Sequence, residues 1–155
     1  MKLTTKGRYA VTAMMDLALH ARIDRVTLAG IAERQHISLA YLEQLFGSLR
    51  KAGLVLSLRG SKGGYRLARD EKEISLADIL IAVDEQIDMT CAGGSACGTD
   101  DPCLTHHLWN GLSQEFFEFL DSKKLSGLVR SRYVQTMATQ QDVTQIGDIP
   151  IHLNR

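Results

Sequence analysis

The amino-acid sequence predicts a mainly α-helical fold with a small β-hairpin wing, namely a winged helix-turn-helix followed by a long dimerisation helix. Apolar residues recur at helical spacing through 9–49, a glycine-rich turn at 60–64 separates two short apolar runs, and a second helical stripe crosses 104–120. The expected organisation is a winged helix-turn-helix at 1–69, a linking helix at 70–90, a ligand loop at 91–106, a dimerisation helix with a following helix at 102–134, and a disordered tail at 135–155.

The first predicted helix covers about 6–21, and its apolar stripe is so wide that we expect it to be mostly buried. Thr27 and Ser38 belong to the residue types that favour helix N-caps, and apolar residues at helical spacing follow each of them. They predict two short helices separated by a break at 36–37. This is the layout of a helix-turn-helix, whose second helix presents its outward side chains to the major groove of DNA.

Two predicted strands at 54–59 and 65–68 follow these helices, and the turn between them contains three glycines. A basic β-hairpin directly after a helix-turn-helix is a wing. Charge supports the same interpretation: residues 1–69 carry twelve Lys and Arg against four Asp and Glu, a net +8, and the remainder carries six against fourteen, a net −8. A basic half suits a polyanion, although charges that only solvate helix faces would give the same counts.

The candidate DNA contacts lie on the second helix of the motif and on the wing. Glutamine can bond adenine through two hydrogen bonds, and glutamate can accept one from the cytosine amino group. An arginine at the start of the wing suits a minor groove, and a lysine at its tip suits phosphate. The candidates are Ser38, Ala40, Tyr41, Glu43, Gln44, Arg59 and Lys62.

Beyond the wing, Ser75 and Asp78 form a predicted capping box that opens a short helix, and periodicity then disappears over 85–101. A long helix is expected to begin with Asp101 as N-cap and Pro102 as its first residue. Its apolar stripe predicts a dimerisation helix, with folding back onto its own domain as the alternative. A shorter helix at about 126–133 follows, and the polar residues after Thr136 predict a mobile tail.

Three cysteines and one histidine provide the most specific pattern of the chain: Cys91, Cys97, Cys103 and His106, spaced by six, six and three positions. Cys103 and His106, three apart at the expected start of a helix, would point to one face. Spacings this wide are looser than the tight knuckles of zinc sites and suit an iron-sulfur cluster. Zinc and unmetallated cysteines remain as alternatives. His107 points away from His106 and is expected to be a surface or interface residue.

No apolar run is long enough to cross a bilayer, and the N-terminal residues lack the apolar stretch of a secretory signal, so we expect a cytoplasmic protein with no membrane partner. An enzyme is not expected. A cysteine near a histidine can form a nucleophilic pair, but the sequence has no phosphate loop and no paired catalytic carboxylates.

The residues 1–14 and 38–46, the wing 59–65 and the run 103–106 together resemble the IscR family, winged-helix regulators of iron-sulfur cluster assembly. The resemblance covers residues 1 to about 130. Two positions depart from the family pattern, since Ala40 replaces a common serine and the wing tip 61–62 replaces a more usual Pro-Gly.

The resemblance implies a homodimeric repressor or activator that binds double-stranded promoter operators and carries one 2Fe-2S cluster per subunit, donated by the iron-sulfur assembly machinery. It places the ligands at the three cysteines and His106, site preference at Glu43, and DNA contacts at Tyr41, Gln44 and Arg59. A related group of nitric oxide sensors uses an acidic residue near the start of the first helix. Arg8 stands there and cannot be deprotonated, which favours ligation by His106.

Overall fold

The computed structural model describes residues 3–21, 25–85, 87 and 104–147. Within these ranges the chain is mostly helical, with one antiparallel hairpin, as the sequence predicts. The helices are α1 Thr5–His20, α2 Leu28–Gln35, α3 Leu39–Lys51, α4 Leu76–Ala82, α5 His106–Ser122, α6 Leu125–Val129 and α7 Arg132–Gly147, and the strands are β1 Val55–Leu58 and β2 Gly64–Leu67.

The hydrophobic core lies between α1, α3 and the elements that cover them. Helix α1 buries one long face, including Met14 and Leu17, and α3 contributes Phe46 and Leu49, all with no exposed surface. The first helix is therefore mostly buried, as its wide apolar stripe predicts. A side chain such as Phe46 stabilises the fold by about 3–5 kcal/mol when compared with alanine at a buried position.

The hairpin of β1 and β2 pairs Val55 with Leu67 and Leu58 with Gly64. Val26, just before α2, extends this pairing by one residue, because its carbonyl oxygen accepts a hydrogen bond from the Tyr65 amide at 2.7 Å. A Cβ atom on Gly64 would lie 2.8 Å from that same oxygen. Glycine at this position therefore lets the wing approach the backbone of the helix-turn-helix.

The linking helix α4 begins with the predicted capping box. The Asp78 amide donates to Ser75 Oγ at 3.0 Å, and the Ser75 amide donates to Asp78 Oδ2 at 2.9 Å. Next to this cap, the Leu76 amide donates to the Lys123 carbonyl and the Leu125 amide donates to the Ile74 carbonyl, each at 2.8 Å. These bonds join the end of α5 and the start of α6 to the N-terminal core.

Helix α5 begins later than the sequence predicts. Its N-cap is Thr105, whose carbonyl accepts the Trp109 amide at 3.1 Å, and Leu104 before it is fully exposed. The expected continuous helix from Pro102 is therefore wrong at 104–105, where the chain forms a turn and not a helix. Asp101 and Pro102 themselves lie outside the described residues.

The expected tail is also wrong over much of its length. Residues 135–147 belong to α7, and the single expected helix at 126–133 is replaced by α6 and the start of α7. Ser131 Oγ accepts the Val134 amide at 3.3 Å at the start of α7. The helix is stabilised by polar contacts with α1 and α2, which an apolar periodicity cannot reveal. Among the described residues, no helix is long and apolar enough to cross a membrane.

Candidate functional site

The helix-turn-helix is built by α2, α3 and the caps between them. Thr27 Oγ1 accepts the Gly30 amide at 3.1 Å at the start of α2, and Ser38 Oγ accepts the Tyr41 amide at 3.2 Å at the start of α3. Between them, His36 takes the left-handed conformation, with φ of 53°. The two predicted caps and the predicted break at 36–37 are thus confirmed, and they fix the direction in which α3 leaves the turn.

Helix α3 separates a buried face from an exposed one. Ala40, Glu43 and Gln44 are exposed, whereas Leu42 and Phe46 are buried. Five of the seven candidate DNA contacts lie on α3 or at its cap. Those five are Ser38, Ala40, Tyr41, Glu43 and Gln44.

Tyr41 differs from its neighbours on α3, because it is half-buried. Its ring meets the edge of the Tyr9 ring on α1 with a centroid distance of 6.0 Å. Such an edge-to-face pair contributes about 0.5–1.5 kcal/mol beyond its buried area. Tyr41 therefore links α3 to the second turn of α1, in addition to any contact with DNA.

The wing presents Arg59 and Lys62 on its exposed turn. Gly60 has φ of 112° and its carbonyl accepts the Gly63 amide at 2.9 Å, a turn that favours glycine. Arg25 Nη1 donates to the Lys62 carbonyl at 2.9 Å, so the tip is tied to the residue before Val26. Sequence reasoning missed Arg25 because this contact spans 37 positions and has no local pattern.

An aromatic contact connects the wing to α3. The Tyr65 ring of β2 meets the Phe46 ring of α3 at a centroid distance of 4.8 Å and an interplanar angle of 70°. Phe46 is fully buried. Packing of this kind leaves the wing little freedom to move independently of α3.

A buried carboxylate joins α1 to α2. Asp16 is 1% exposed, and it accepts hydrogen bonds from Arg34 Nη2 at 2.6 Å, Arg34 Nε at 2.9 Å and Gln35 Nε2 at 2.7 Å. Burial alone raises the pKa of Asp16, but hydrogen bonds from His20, Arg34 and Gln35 outweigh it and lower the pKa to about 2. The pair is ionised at neutral pH and holds the helix-turn-helix against α1.

His20 extends this cluster to α7. Its Nδ1 lies 2.8 Å from the Asp16 carbonyl oxygen and its Nε2 lies 3.0 Å from Asp142 Oδ1. Beside it, Gln35 Nε2 donates to Gln141 Oε1 at 3.0 Å. The hydrogen bond with the Asp16 side chain raises the pKa of His20 to about 9 despite its burial. Sequence reasoning missed this role, because His20 and Asp142 lie 122 positions apart and share no local pattern.

Of the four candidate ligands, His106 is described, and Cys91, Cys97 and Cys103 lie outside the described residues. His106 is the first residue of α5 and is half-buried. At 3.6 residues per turn it shares one side of α5 with Asn110, Ser113 and Phe117. Those three residues and Ile87 line one recess. His106 therefore lies on the side of α5 that faces the last described residue before the cysteines.

The described residues alone contain no cluster of three or more His, Cys, Asp and Glu side chains arranged as a metal site. Because this part of the chain excludes all three cysteines, the finding leaves the predicted ligand set untested. The structure places His106 at the start of α5. The expectation that Cys103 and His106 point to one face stays a prediction, because Cys103 lies outside the described residues.

The exposed face of α5 is strongly apolar. Phe116 and Leu120 turn toward α4, where Leu120 is buried, but other large side chains remain open to solvent. These are Leu108 at 56%, Trp109 at 39%, Leu112 at 38% and Phe119 at 55% exposed. The C-terminal half of α5 thus folds back on its own domain while the rest of the stripe keeps an uncovered apolar face.

Comparison with known proteins decides the family. A family model described as Rrf2, iron-dependent transcriptional regulator, matches residues 3–131. The chain belongs to the Rrf2 family. It is 54% identical over 143 residues to the HTH-type transcriptional regulator IscR of Photorhabdus laumondii, covering 92% of this chain and 87% of that protein. It is 51% identical over 144 residues to IscR of Vibrio campbellii, covering 92% and 86%.

Solved structures support the same family assignment. The structure of T. potens IscR has a TM-score of 0.70 and 40% sequence identity, covering 84% of this chain and 87% of that one. The structure of CymR, the global cysteine regulator of B. subtilis, has a TM-score of 0.71 and 35% identity, covering 83% and 96%. Relatives within the Rrf2 family are named as transcriptional regulators and not as enzymes. Transcription regulation through DNA binding and the non-enzymatic assignment are thereby confirmed, as is the resemblance to the IscR family.

Proposed function

We propose that this Rrf2-family regulator is a homodimer that controls iron-sulfur cluster assembly genes and senses cluster status through a 2Fe-2S cluster, one per subunit. The proposed ligands are Cys91, Cys97, Cys103 and His106. The observation that carries the proposal is the placement of His106, on the side of α5 that faces Ile87, where the chain continues toward Cys91. High identity to regulators named IscR supports the same choice.

The donor set fits an iron-sulfur cluster by its chemistry. Thiolates are the usual cluster ligands, and a histidine in place of one cysteine alters the reduction potential and lability of the site. When bound, such a cluster supplies a redox- and iron-dependent signal. The protein's own part is to hold His106, half-buried, at the first turn of α5.

DNA recognition is assigned to the exposed end of α3 and to the wing. Gln44 and Glu43 have the chemistry to bond base edges, and Arg59 suits a minor groove. Tyr41 and Lys62 suit phosphate, while Ser38 and Ala40 lie where α3 would approach the backbone. Charge supports this assignment, because residues 1–69 carry a net +8, which suits a polyanion, and the remainder of the chain carries a net −8.

Dimerisation is assigned to α5. Leu108, Leu112 and Phe119 recur on one side of the helix and are each more than a third exposed. Beside them, an apolar groove of about 540 Å³ is lined by residues of α1, α4 and α5, including Val11, Leu80 and Phe116. Contiguous exposed apolar surface of this kind marks a protein interface. A second copy of the same helix would cover it.

The test is anaerobic purification followed by a visible spectrum and iron, sulfide and zinc assays. A red-brown protein with about two irons and two sulfides per chain supports the proposal. A colourless protein with one zinc per chain would keep the DNA-binding assignment and discard the sensor. A colourless, metal-free sample is reconstituted with iron and sulfide before it is scored, and failure to take up a cluster counts against the proposal.

A His106→Ala variant separates the two functions. We expect it to lose its cluster faster than the wild type while the cluster-free protein binds operator DNA with unchanged affinity, because His106 lies on α5 and not on α3 or the wing. His107→Ala, its exposed neighbour, is the matched control. Equal loss of cluster and DNA binding in His106→Ala would refute this division of roles.

A further inference from the structure

Helix α4 ends in a left-handed turn that directs an acidic side chain inward. Asp84 has φ of 54°, its amide donates to the Ile81 carbonyl, and the Glu85 amide donates to the Leu80 carbonyl, both at 3.0 Å. These two bonds form a Schellman motif, in which the residue after the left-handed position usually packs an apolar side chain against the helix. Here that residue is Glu85, only 7% exposed.

The Glu85 carboxylate caps the start of α1. The Thr4 amide donates to Oε1 at 2.8 Å, and the Thr4 hydroxyl donates to Oε2. Thr4 is also the N-cap of α1, because its Oγ1 accepts the Gly7 amide at 3.3 Å. The negative charge lies at a helix N-terminus, where the helix dipole stabilises it. One side chain thus connects the end of α4 to the first turn of α1, across 81 positions of sequence.

Gly7 makes room for this contact. A Cβ atom at Gly7 would lie 2.8 Å from Glu85 Oε2 and 2.9 Å from its carboxyl carbon. Glycine inside a helix costs about 0.5–1 kcal/mol relative to alanine, so a glycine in the first turn of α1 needs a compensating contact. Burial raises the pKa of Glu85, but hydrogen bonds from Thr4 and Gly7 outweigh it and lower the pKa, which keeps the carboxylate ionised at neutral pH.

Glu85 stands six positions before Cys91. We propose that Glu85 is a positioning residue that fixes the start of the cysteine segment to the N-terminus of α1, so that a change in that segment alters the first turn of the DNA-binding unit. The ligand role of the cysteines rests on the proposed function; the attachment of α4 to α1 through Glu85 does not.

The first experiment uses the full-length, metal-free protein. Glu85→Gln and Thr4→Val are compared with wild type and with Glu73→Gln, which changes an exposed glutamate in the same way. Amide exchange over residues 3–9 and the rate at which a disulfide reagent modifies the cysteines are measured together. We expect Glu85→Gln to speed exchange by about 10- to 100-fold, since a charged acceptor of two hydrogen bonds is lost, and Thr4→Val by less.

Thiol modification should accelerate in both variants and stay at the wild-type rate in Glu73→Gln. If exchange in α1 accelerates but thiol rates stay unchanged, Glu85 is only a helix cap and the proposal is wrong. Unchanged exchange in Glu85→Gln, or equal effects in Glu73→Gln, would also overturn it.

In the second experiment, wild type and Glu85→Gln are reconstituted with iron and sulfide, and amide exchange is measured again. Wild-type protein should show slower exchange over residues 3–9 after loading, whereas Glu85→Gln should take up the same iron and sulfide per chain without that slowing. An equal slowing in Glu85→Gln overturns the proposal. If the wild type takes up no cluster, the proposed function is wrong, and the metal-free experiment alone decides the role of Glu85.

Discussion

His20 should make the attachment of α7 dependent on pH. Its two ring nitrogens each face an oxygen, the Asp16 carbonyl at 2.8 Å and Asp142 Oδ1 at 3.0 Å. A neutral imidazole has one N–H and can donate to only one of them, whereas the imidazolium donates to both. The charged groups around the ring are Asp16 on α1, Arg34 on α2 and Asp142 on α7. The hydrogen bond that His20 donates to the Asp16 side chain is the main cause that raises the pKa of His20 to about 9.

The direction of the pH dependence of stability follows from the raised pKa of His20. Because the folded pKa of about 9 exceeds the unfolded value of 6.5, the stabilisation is fully present below pH 6.5 and is lost as the pH rises through 9. A shift of this size corresponds to a ceiling of about 3 kcal/mol in the free energy of unfolding. Asp142 is 48% exposed, so solvent screens part of the interaction, and we expect about 1–2 kcal/mol.

The perturbation is His20→Gln, and the assay is urea unfolding between pH 6 and pH 9.5. Over this pH range the free energy of unfolding of the wild type should fall by about 1–2 kcal/mol more than that of His20→Gln. The comparison isolates His20, because the titration of all other groups cancels in the difference. Asp142→Asn should remove part of the same loss, and His107→Gln, an exposed histidine on α5, should behave like wild type. If His20→Gln and wild type depend on pH identically, the imidazolium does not hold α7 and the reasoning fails.

Two further predictions concern the wing and the dimer. Gly64→Ala should destabilise the fold by about 1–3 kcal/mol in thermal or urea unfolding, because its Cβ would lie 2.8 Å from a backbone carbonyl oxygen. Gly47→Ala in α3 is the control, since its Cβ would meet no atom within 4 Å. It should stabilise the fold by about 0.5–1 kcal/mol. The same sign for both would contradict the packing argument. Leu112→Glu should convert the dimer into a monomer in sedimentation experiments. Leu56→Glu, which changes an exposed leucine of the wing, is the control and should remain a dimer. If Leu112→Glu remains a dimer, the interface lies elsewhere.

Local signals account for most of what the sequence predicted correctly. The caps at Thr27, Ser38 and Ser75 each depend on a hydroxyl that accepts an amide three residues later, so a short window contains the whole interaction. The wing follows from glycines that a tight turn requires. The exposed positions of Glu43 and Gln44 follow from the 3.6-residue period of α3, although their contact with DNA stays a prediction.

What the sequence did not predict depends on partners far along the chain. Helix α7 is mostly polar, and it makes hydrogen bonds to α1 and α2 through Asp142 and Gln141. Polar residues without a clear apolar period resemble a tail. Val26 pairs with the wing through a single residue, too short for an alternating strand pattern. The start of α5 was placed too early because Asp101 and Pro102 have the right types for a helix start, whereas in the described part of the chain α5 begins at His106 with Thr105 as its N-cap.

Helix α1 brings the separate parts of the molecule into one rigid unit. Its sixteen residues span about 24 Å. Its first turn contacts Glu85, its second turn reaches α3 through the rings of Tyr9 and Tyr41, and its last two turns hold α2 through Asp16 and α7 through His20. A helix of this length resists bending when one side is fully buried, so a displacement of its first turn also moves the residue that touches Tyr41. Because Tyr41 belongs to the candidate DNA-reading helix, the attachment at Glu85 lies within two contacts of the candidate DNA-binding surface. If α3 binds DNA, Tyr9→Leu combined with Glu85→Gln should weaken DNA binding by less than the sum of the two single effects.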